Sequence, residues 1–383
     1  MKRVYMDNAS TSFPKAPGTA EAMTHYINDI GANLNRGEYS DTFSSEEHIN
    51  NVRRMIADMF GSSHPECVAF TLNVTSALNT IISGLSAASK PVLISSMEHN
   101  AVLRPLVRYN VPFVTIPSDA EGHCIINNLK KSAKEGAGAL IIQSASNVSG
   151  TIQDIPRIAE IAHAYKLLLI VDAAQGSPHV PLNLEKMGID AICFAGHKGL
   201  LGPQGTGGMI LSPMLADRLL PLIAGGTGSR SFSEKMPSFM PDKFEAGTQN
   251  IPGLFGLECA IDYERNHHEE IESNLQHLTS HLIDGLLSIS GIRILGPAAD
   301  EARTPVVSLT SDLFDIAELA RLLEETGNIQ TRVGLHCAPL AHRSLGSYPS
   351  GALRLSPGPF STAEEIDFTL DILKCCMQKL AVS

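Results

Sequence analysis

The sequence predicts an α/β fold with a mainly parallel sheet, followed by a smaller α+β domain. Short apolar runs alternate with helical patterns from residue 67 to 212, which is typical of parallel sheets with right-handed crossovers. From about residue 257 the pattern changes to a long charged helix at 258–287, a strand at 304–309 and a helix from Asp315. We therefore expect a large domain at 15–256 and a small domain at 257–383, against which residues 1–14 also pack.

Length and composition narrow the possible functions. The 383 residues are enough for two domains, and 43% hydrophobic with 18% charged residues is typical of a soluble globular protein. A net charge of −11 argues against a nucleic-acid partner. The sequence shows neither a signal segment nor an apolar run of membrane-spanning length, so we expect a cytoplasmic protein without a membrane partner.

The cysteines point to a reducing environment. There are seven of them, an odd number without paired spacing, which fits reduced thiols better than a disulfide framework. No CxxC or HExxH spacing occurs, so we expect no metal site. The neighbouring Cys375 and Cys376 lie in a helical tail, where a packing role fits them best.

Local patterns place the individual elements. Apolar runs that end in polar turns predict strands at 67–71, 92–95, 111–116, 139–143, 167–172 and 191–195. Apolar residues at helical spacing predict one helix after the first of these strands and another at 154–165. Ser44 and Glu47 have the spacing of a capping box, which predicts that a helix begins with Ser44 as its cap.

Two of the predicted strands end in residues that suit one cofactor. The strand at 167–172 ends in Asp172, and Lys198 follows the strand at 191–195. Ligands of open α/β sheets bind beyond the carboxyl ends of the strands, so both side chains face one crevice. A carboxylate there can keep a pyridine nitrogen protonated, and a lysine can hold an aldehyde carbon, as pyridoxal phosphate (PLP) requires. By itself, the lysine equally fits an ordinary strand end that reaches solvent.

Ordered motifs along nearly the whole chain resemble one enzyme family. The segments 172–175 (Asp-Ala-Ala-Gln) and 196–198 (Gly-His-Lys) resemble the fold-type-I PLP enzymes of the class V aminotransferase group. The segments 244–248 (Phe-Glu-Ala-Gly-Thr) and 332–338 (Arg-Val-Gly-Leu-His-Cys-Ala) are similar to motifs of class II cysteine desulfurases. The resemblance implies a fold-type-I PLP-dependent transferase with a mainly parallel seven-stranded sheet.

The resemblance also implies cofactor contacts, residue by residue. Lys198 would attach to PLP, Asp172 would contact the ring nitrogen, and His99 would stack on the ring and serve as a proton carrier. Thr248 would bond the phosphate bound in the partner subunit, which implies a homodimer with active sites at the interface. The other implied contacts, to the phosphate or the phenolic edge of the ring, are Asn73, Val74 (through its N–H), Thr75, His197, Asn147 and Gln175.

The chain departs from the family pattern at several positions. Asn35, Val74 and Ala195 replace the usual residues, and Ser10 replaces the second alanine of an Asp-Asn-Ala-Ala-Thr segment. Ala195 lacks a hydroxyl that usually bonds the phosphate, which predicts phosphate binding weaker by about 1 kcal/mol unless a water replaces it. Without the resemblance, residues 71–76 would be interpreted as a strand and a plain helix cap.

A cysteine loop in the second domain carries the nucleophile that the resemblance implies. Gly334 permits a tight turn that could present Cys337. A thiol becomes nucleophilic below its usual pKa beside positive charge, for which Arg332 and His336 are candidates. The alternative for Cys337 is a buried apolar cysteine, which the glycine, histidine and arginine around it disfavour.

Arginines supply the substrate contacts that the resemblance implies. Arg354 lies in a strand pattern and would fork onto the α-carboxylate of the substrate, a geometry that suits guanidinium. Arg332, Asn147 and Arg36 complete the implied substrate-binding set. The catalytic residues in this interpretation are Lys198, Cys337 and His99.

These motifs together predict a PLP-dependent cysteine desulfurase. It would convert L-cysteine to L-alanine, leave a persulfide on the enzyme and pass the sulfur to an acceptor protein. L-Selenocysteine is a second candidate substrate, and another class V lyase, epimerase or aminotransferase activity is the alternative within enzymes. A sulfur-relay protein and an inactive scaffold of the same fold are the two alternatives of other classes.

Overall fold

The computed structural model describes residues 2–34, 38–86, 90–298 and 300–382. Within these ranges the strands are β1 (Val4–Tyr5), β2 (Val68–Thr71), β3 (Val92–Ser95), β4 (Phe113–Ile116), β5 (Ala139–Gln143), β6 (Leu168–Asp172), β7 (Ala191–Ala195), β8 (Gly207–Leu211), β9 (Arg293–Leu295), β10 (Val307–Thr310), β11 (Ile329–Gln330), β12 (Arg332–Gly334) and β13 (Ala352–Leu355). The α-helices are α1 (Thr19–His25), α2 (Ser40–Met59), α3 (Val74–Leu85), α4 (Asn100–Arg108), α5 (Ile126–Lys134), α6 (Ile155–Ala164), α7 (Pro213–Arg218), α8 (Ile251–Leu287), α9 (Ile316–Gly327), α10 (Pro339–Ser344) and α11 (Ala363–Val382).

A mainly parallel sheet of seven strands organises the described part of the large domain. Its strands lie in the order β2-β8-β7-β6-β5-β3-β4. The five strands from β7 to β4 are parallel to one another, and β8 is antiparallel to both β2 and β7. The predicted α/β fold and its seven-stranded sheet are therefore confirmed. The strands observed at 92–95 and 139–143 have the same bounds as the predicted ones.

The central strands of the sheet are buried on both faces, whereas three of the four residues of the edge strand β4 are exposed. One face packs against α2, α6 and the first half of α8, with Leu140 and Phe194 among its buried residues. The other face packs against α3 and α4, with Ile141 and Cys193 among its buried residues. Successive residues of a strand point to opposite faces, so near-continuous apolar runs indicate a sheet covered on both sides.

Helix α2 begins earlier than its capping-box pattern indicated. It starts at Ser40 after an extended Tyr39, so the prediction that Ser44 caps its start is wrong. Thr42, Ser45 and Ile49 are all buried on the side of the helix that faces the core. Two of the core-facing positions, Thr42 and Ser45, are small polar residues. The apolar spacing that predicts a helix is therefore missing from the first turn of α2.

The small domain carries its own antiparallel sheet, in the order β12-β13-β10-β9. Helices α9, α11 and the second half of α8 cover it with a separate apolar core. The N-terminal segment joins this core, because Val4 and Met6 are buried in it and β1 pairs with β11. This segment brings Asp7 and Ser10 from the start of the chain to β13, near its end.

Helix α8 connects the two cores. It begins at Ile251, seven residues before the predicted start at 258, and the side chain of Asn250 caps it by accepting the N–H of Gly253. The predicted domain boundary at 256/257 falls inside this helix and stays a prediction. In the described ranges, none of the helices is long and apolar enough to cross a membrane.

Candidate active site

The carboxyl ends of four parallel strands meet at one cavity of about 240 Å³. His99 follows β3, Asn147 follows β5, Asp172 ends β6 and Lys198 follows β7, and all four side chains line the cavity. The small domain closes the opposite side with four further lining residues, Arg332, His336, Cys337 and Arg354. The parallel sheet therefore brings together Asp172 and Lys198, as the strand-end argument predicted, and adds His99 and Asn147, which the resemblance implied.

Lys198 lies in a tight turn in which the next residue, Gly199, has no room for a side chain. A Cβ atom at Gly199 would lie 2.1 Å from the carbonyl oxygen of Ser177, so a larger residue would displace the turn. Burial lowers the pKa of Lys198 to about 8; Asp172 opposes this shift, while Arg354 and Arg332 add to it. A larger fraction of Lys198 is therefore in the neutral, reactive amine form near neutral pH than for an ordinary lysine.

Asp172 is a buried carboxyl group held in place by the backbone. It is 4% exposed, and its Oδ1 accepts the N–H of Ala174 at 2.9 Å. Burial raises its pKa, whereas this hydrogen bond and the charge of Lys198 oppose the shift. A protonated ring nitrogen beside it would supply the positive partner that a buried carboxylate requires.

The start of helix α3 forms an anion-binding cradle. Asn73 caps this helix, since its Oδ1 accepts the N–H of Ser76 at 2.9 Å. The N–H groups of Val74 and Thr75 lie in the first turn, where no intrahelical acceptor is available. Asn73, Val74, Thr75 and His197 all line the cavity, and a helix N-terminus of this kind suits a phosphate group.

His99 is held as a neutral ring with its proton on Nε2. It caps helix α4, because its Nδ1 accepts the N–H of Ala101 at 3.0 Å. An accepting Nδ1 assigns the proton of the neutral ring to Nε2. Burial lowers the pKa of His99 to about 4, and the nearby cationic side chains, first among them Lys198, lower it further.

Two arginines lie directly opposite each other at the small-domain side of the cavity. Arg332 on β12 pairs in register with Arg354 on β13. Like charges at such a position repel. One carboxylate is present to offset them, since Nη2 of Arg354 donates to Oδ1 of Asp7 at 2.9 Å. Two guanidinium groups and one carboxylate leave one positive charge, which an anionic ligand could balance.

The cysteine loop is anchored at its backbone. His336 and Cys337 both have left-handed backbone conformations, with φ of 45° and 57°. Asn147 Nδ2 donates to the His336 carbonyl at 2.7 Å, and the N–H of Asn100 donates to the Cys337 carbonyl at 2.7 Å. These bonds hold an uncommon conformation in which the Cys337 side chain is exposed at the cavity wall.

His336 is neutral, contrary to the sequence-based interpretation. Its side chain is buried, and Nε2 lies 3.0 Å from the carbonyl oxygen of Ala352. Burial lowers the pKa of His336 to about 2, and the charge of Arg354 lowers it further. The prediction that His336 supplies positive charge to Cys337 is therefore wrong, and Arg332 remains as the candidate.

Buried polar atoms without partners indicate that the cavity is built for a ligand. Asn147 Oδ1, His197 Nδ1, His336 Nδ1 and Arg354 Nε are buried and have no hydrogen-bond partner, and all four residues line the cavity. Each such atom costs about 1–3 kcal/mol, so native proteins rarely leave them unsatisfied. An amine at Lys198, a carboxyl at Asp172 and the anion cradle at α3 fit the aldehyde, ring nitrogen and phosphate of PLP.

Comparison with known proteins identifies the family. The family model of the class-V aminotransferases matches residues 4–368. The chain belongs to the class-V aminotransferase family. A probable cysteine desulfurase of Methanothermobacter thermautotrophicus is 32% identical over 97% of this chain and 94% of its own length. One from Chlamydia trachomatis is 31% identical with the same two coverages. The apo structure of cysteine desulfurase from Thermococcus onnurineus superposes with a TM-score of 0.91 at 28% identity, covering 98% and 95% of the two chains.

Three of the predicted site residues either differ from the role that the resemblance implied or lie outside the described residues. Thr248 is exposed and lines two neighbouring surface grooves. Gln175 lines the cavity, but its Nε2 donates to the carbonyl of Ala9 at 2.8 Å. Arg36, together with Asn35, lies outside the described residues.

Sequence reasoning missed one polar residue of the cavity wall, Ser10, and a buried acid beside the wall, Glu98. Ser10 lines the cavity between the two arginines, although the sequence marked it only as a departure from the family. Glu98 is fully buried, and its Oε1 accepts the Ser95 hydroxyl and the N–H of Gln143. The sequence could have indicated its burial, because Glu98 lies between a mainly apolar strand, β3, and the predicted site residue His99.

Glu98 is expected to make stability depend on pH. Burial raises its pKa to about 8, and the charge of Asp172 adds to the shift. An unfolded chain ionises glutamate near pH 4.3, so the folded state holds an extra proton between that pH and about 8. The free energy of unfolding should therefore fall as the pH rises through this window, by roughly 5 kcal/mol over the whole of it.

Denaturant unfolding at about pH 5.5, inside this window, and at about pH 8.5, just above it, measures most of this effect. Glu98→Gln mimics the protonated acid, so the variant should lose most of the decrease and exceed the wild type in stability at the higher pH. The exposed Glu135→Gln is the matched control and should keep the wild-type decrease. An equal decrease in the Glu98 variant would contradict the assignment.

Proposed function

We propose that this protein is a PLP-dependent cysteine desulfurase that transfers sulfur from L-cysteine to Cys337. The observation that carries the proposal is an exposed thiol on the wall of a cavity that also holds Lys198, Asp172 and an arginine pair. A lysine and a carboxylate of this kind are what PLP requires, and the thiol adds a nucleophile. The relatives and the structural neighbour named above as cysteine desulfurases support the same activity.

Binding of the substrate follows from the charges of the cavity. The carboxylate of L-cysteine would lie at the arginine pair and balance its one excess positive charge. Arg354 offers its buried Nε, which has no other partner, and Arg332 is exposed at the cavity. Asn147 Oδ1 is a further free acceptor for a donor on the substrate or the cofactor.

Proton transfer is assigned to Lys198 and His99. When bound, PLP withdraws electrons from the substrate Cα, and this is the chemistry that the protein lacks by itself. The neutral amine of Lys198 would remove the Cα proton, for which its lowered pKa of about 8 is suited. Asp172 would hold the ring nitrogen protonated, and His99 Nε2 carries a proton that it can donate to the substrate.

Sulfur transfer is assigned to the thiolate of Cys337. Its Sγ would form a bond to the substrate sulfur while the bond from that sulfur to Cβ breaks, leaving the electron pair on the carbon. Two protons then complete L-alanine: His99 would deliver to Cβ a proton equivalent to the one that the Cys337 thiol released on ionising, and Lys198 would return its proton to Cα. The products are L-alanine and a Cys337 persulfide, so the sulfur, the hydrogens and the electrons of L-cysteine and one thiol are all accounted for.

The test is product formation by the purified PLP-loaded protein from L-cysteine with a thiol reductant present. We expect equal amounts of L-alanine and sulfide, because the reductant releases one sulfide from each persulfide. Absence of both products, despite lysine-bound PLP, would rule out L-cysteine as the substrate.

Sedimentation of the same preparation tests the homodimer. A single species of 41.0 kDa, the mass of one chain, would contradict it.

The homodimer rests on an exposed apolar surface beside Thr248. Leu72, Leu222 and Ile223 are large exposed side chains, and with Thr248 they line one groove. Monomers rarely expose a large contiguous apolar patch, so this surface supports the proposal of an interface here. A second subunit there would cover the groove and bring its neighbour's Thr248 toward a phosphate site, as the family resemblance implies.

The sulfur acceptor is proposed to be a separate protein in the cytoplasm. A persulfide on an exposed Cys337 is open to a partner, and the reductants of the cytosol keep an exposed thiol reduced between turnovers. Turnover that is slow with reductant alone and rises when one candidate protein is added would support this role. L-Selenocysteine remains a candidate second substrate, since selenium leaves more readily than sulfur.

A further inference from the structure

We propose that Ser10 is a positioning residue that holds Arg332 and Arg354 together as one receptor for the substrate carboxylate. The inference rests on the proposed function, because it concerns how that site recognises an amino acid. Ser10 lines the cavity and is brought there by the N-terminal segment that packs on the small domain.

The Ser10 hydroxyl makes every hydrogen bond that it can make. Its Oγ donates to Oδ1 of Asp7 at 2.7 Å. The same oxygen accepts Nη1 of Arg332 at 2.8 Å and Nη2 of Arg354 at 2.7 Å. A hydroxyl has one donor and two acceptor lone pairs, so the group is saturated and its orientation is fixed.

The two arginines depend on Ser10 to different degrees. Arg354 has other partners, because Asp7 accepts its Nη2 and the carbonyl of Asn147 accepts its Nη1 at 2.9 Å. For Arg332, by contrast, Ser10 is the only described side chain that hydrogen-bonds to the guanidinium. Loss of the hydroxyl should therefore release Arg332 while Arg354 stays in place.

Electrostatics explains why a neutral bridge is useful at this position. Arg332 and Arg354 are paired directly across two strands and repel each other. A second carboxylate in place of the hydroxyl would cancel the excess positive charge that attracts the substrate. A hydroxyl instead joins the two groups and preserves that charge, so the receptor is ordered before the substrate arrives.

The first test uses ligand pairs that differ only in the carboxylate. In PLP-loaded Ser10→Ala, we expect the KM of L-cysteine and the Kd of L-alanine to rise about 5- to 10-fold, as for the loss of one hydrogen bond of typical strength. The kcat should stay within about twofold, because the interaction is one of binding rather than of the reacting atoms. Calorimetric binding of ethylamine, which is L-alanine without its carboxylate, should not change.

Two further variants separate positioning from a general structural role. Ser10→Thr keeps the hydroxyl and should restore L-alanine binding. In an Arg332→Ala background, Ser10→Ala should add little to the loss, because non-additivity marks residues that act through each other. Ser311→Ala, which removes a hydroxyl bonded to the Gly291 carbonyl, is the control and should leave all values unchanged.

The outcomes distinguish this inference from the proposed function. Equal weakening of L-alanine and ethylamine, or unchanged binding of both, would overturn the role of Ser10. A wild-type protein that binds L-alanine no better than ethylamine would also overturn it, since no carboxylate receptor would exist. If L-cysteine is not turned over but Ser10→Ala still weakens L-alanine selectively, the role of Ser10 stands and the desulfurase proposal fails.

Discussion

Lys198→Ala is expected to reduce the formation of L-alanine from L-cysteine by at least about 1,000-fold. Two functions are lost together, because the same amine anchors the cofactor and removes the Cα proton. Loss of a general base alone typically costs 10²–10⁴ in rate. No other lysine lines the cavity in the described ranges, so no side chain can replace it there.

Borohydride reduction followed by peptide mapping provides a readout that does not depend on turnover. In the wild type the reduced cofactor should be found on the peptide that contains Lys198, and in the variant no peptide should carry it. Lys186→Ala, an exposed lysine before β7, is the matched control and should behave as the wild type. A variant that still formed L-alanine at a tenth of the normal rate would contradict the assignment.

The sequence predicted the side of the site that comes from the parallel sheet. Asp172 and Lys198 end neighbouring strands, and the register of β6 and β7 places Asp172 beside Cys193. Because parallel strands end at one edge of a sheet, a local pattern was enough to bring the two side chains together. The motif order then added His99 and Asn147, which the structure places on the same cavity.

The contacts between distant parts of the chain could not be predicted in this way. Ser10 lies 322 residues from Arg332 and 344 from Arg354, and its role depends on the pairing of β1 with β11. The neutral state of His336 was also hidden, because it depends on burial rather than on the adjacent cysteine. Proximity in the sequence places His336 near Cys337, whereas burial, which the sequence does not show, determines whether His336 is charged.

Cys337→Ala is expected to lower the conversion of L-cysteine to L-alanine by at least about 100-fold, or about 2.7 kcal/mol in the barrier. The reason is that no other described cysteine lines the cavity, so the substrate sulfur loses its nucleophile. Intact-mass measurement after a single turnover should show one added sulfur atom on the wild type and none on the variant. The lysine-bound cofactor should be unaffected.

Cys375→Ala is the matched control, because Cys375 is also an exposed thiol but lies on α11. It should retain both the turnover and the added sulfur atom. Cys337→Ser is a second variant that preserves the size and polarity of the side chain on its left-handed backbone. If both Cys337 variants kept full activity with L-cysteine, the thiol would be a structural feature of the loop and the persulfide route would be wrong.

L-Selenocysteine separates the role of Cys337 as a nucleophile from any effect on the shape of the cavity. Selenium leaves carbon more readily than sulfur, so release of L-alanine from L-selenocysteine should depend less on an attacking thiolate. We therefore expect Cys337→Ala to retain much of its activity with L-selenocysteine while losing that with L-cysteine. An equal loss with both substrates would instead mean that the substitution disturbs the loop, whose carbonyl groups are anchored to Asn100 and Asn147.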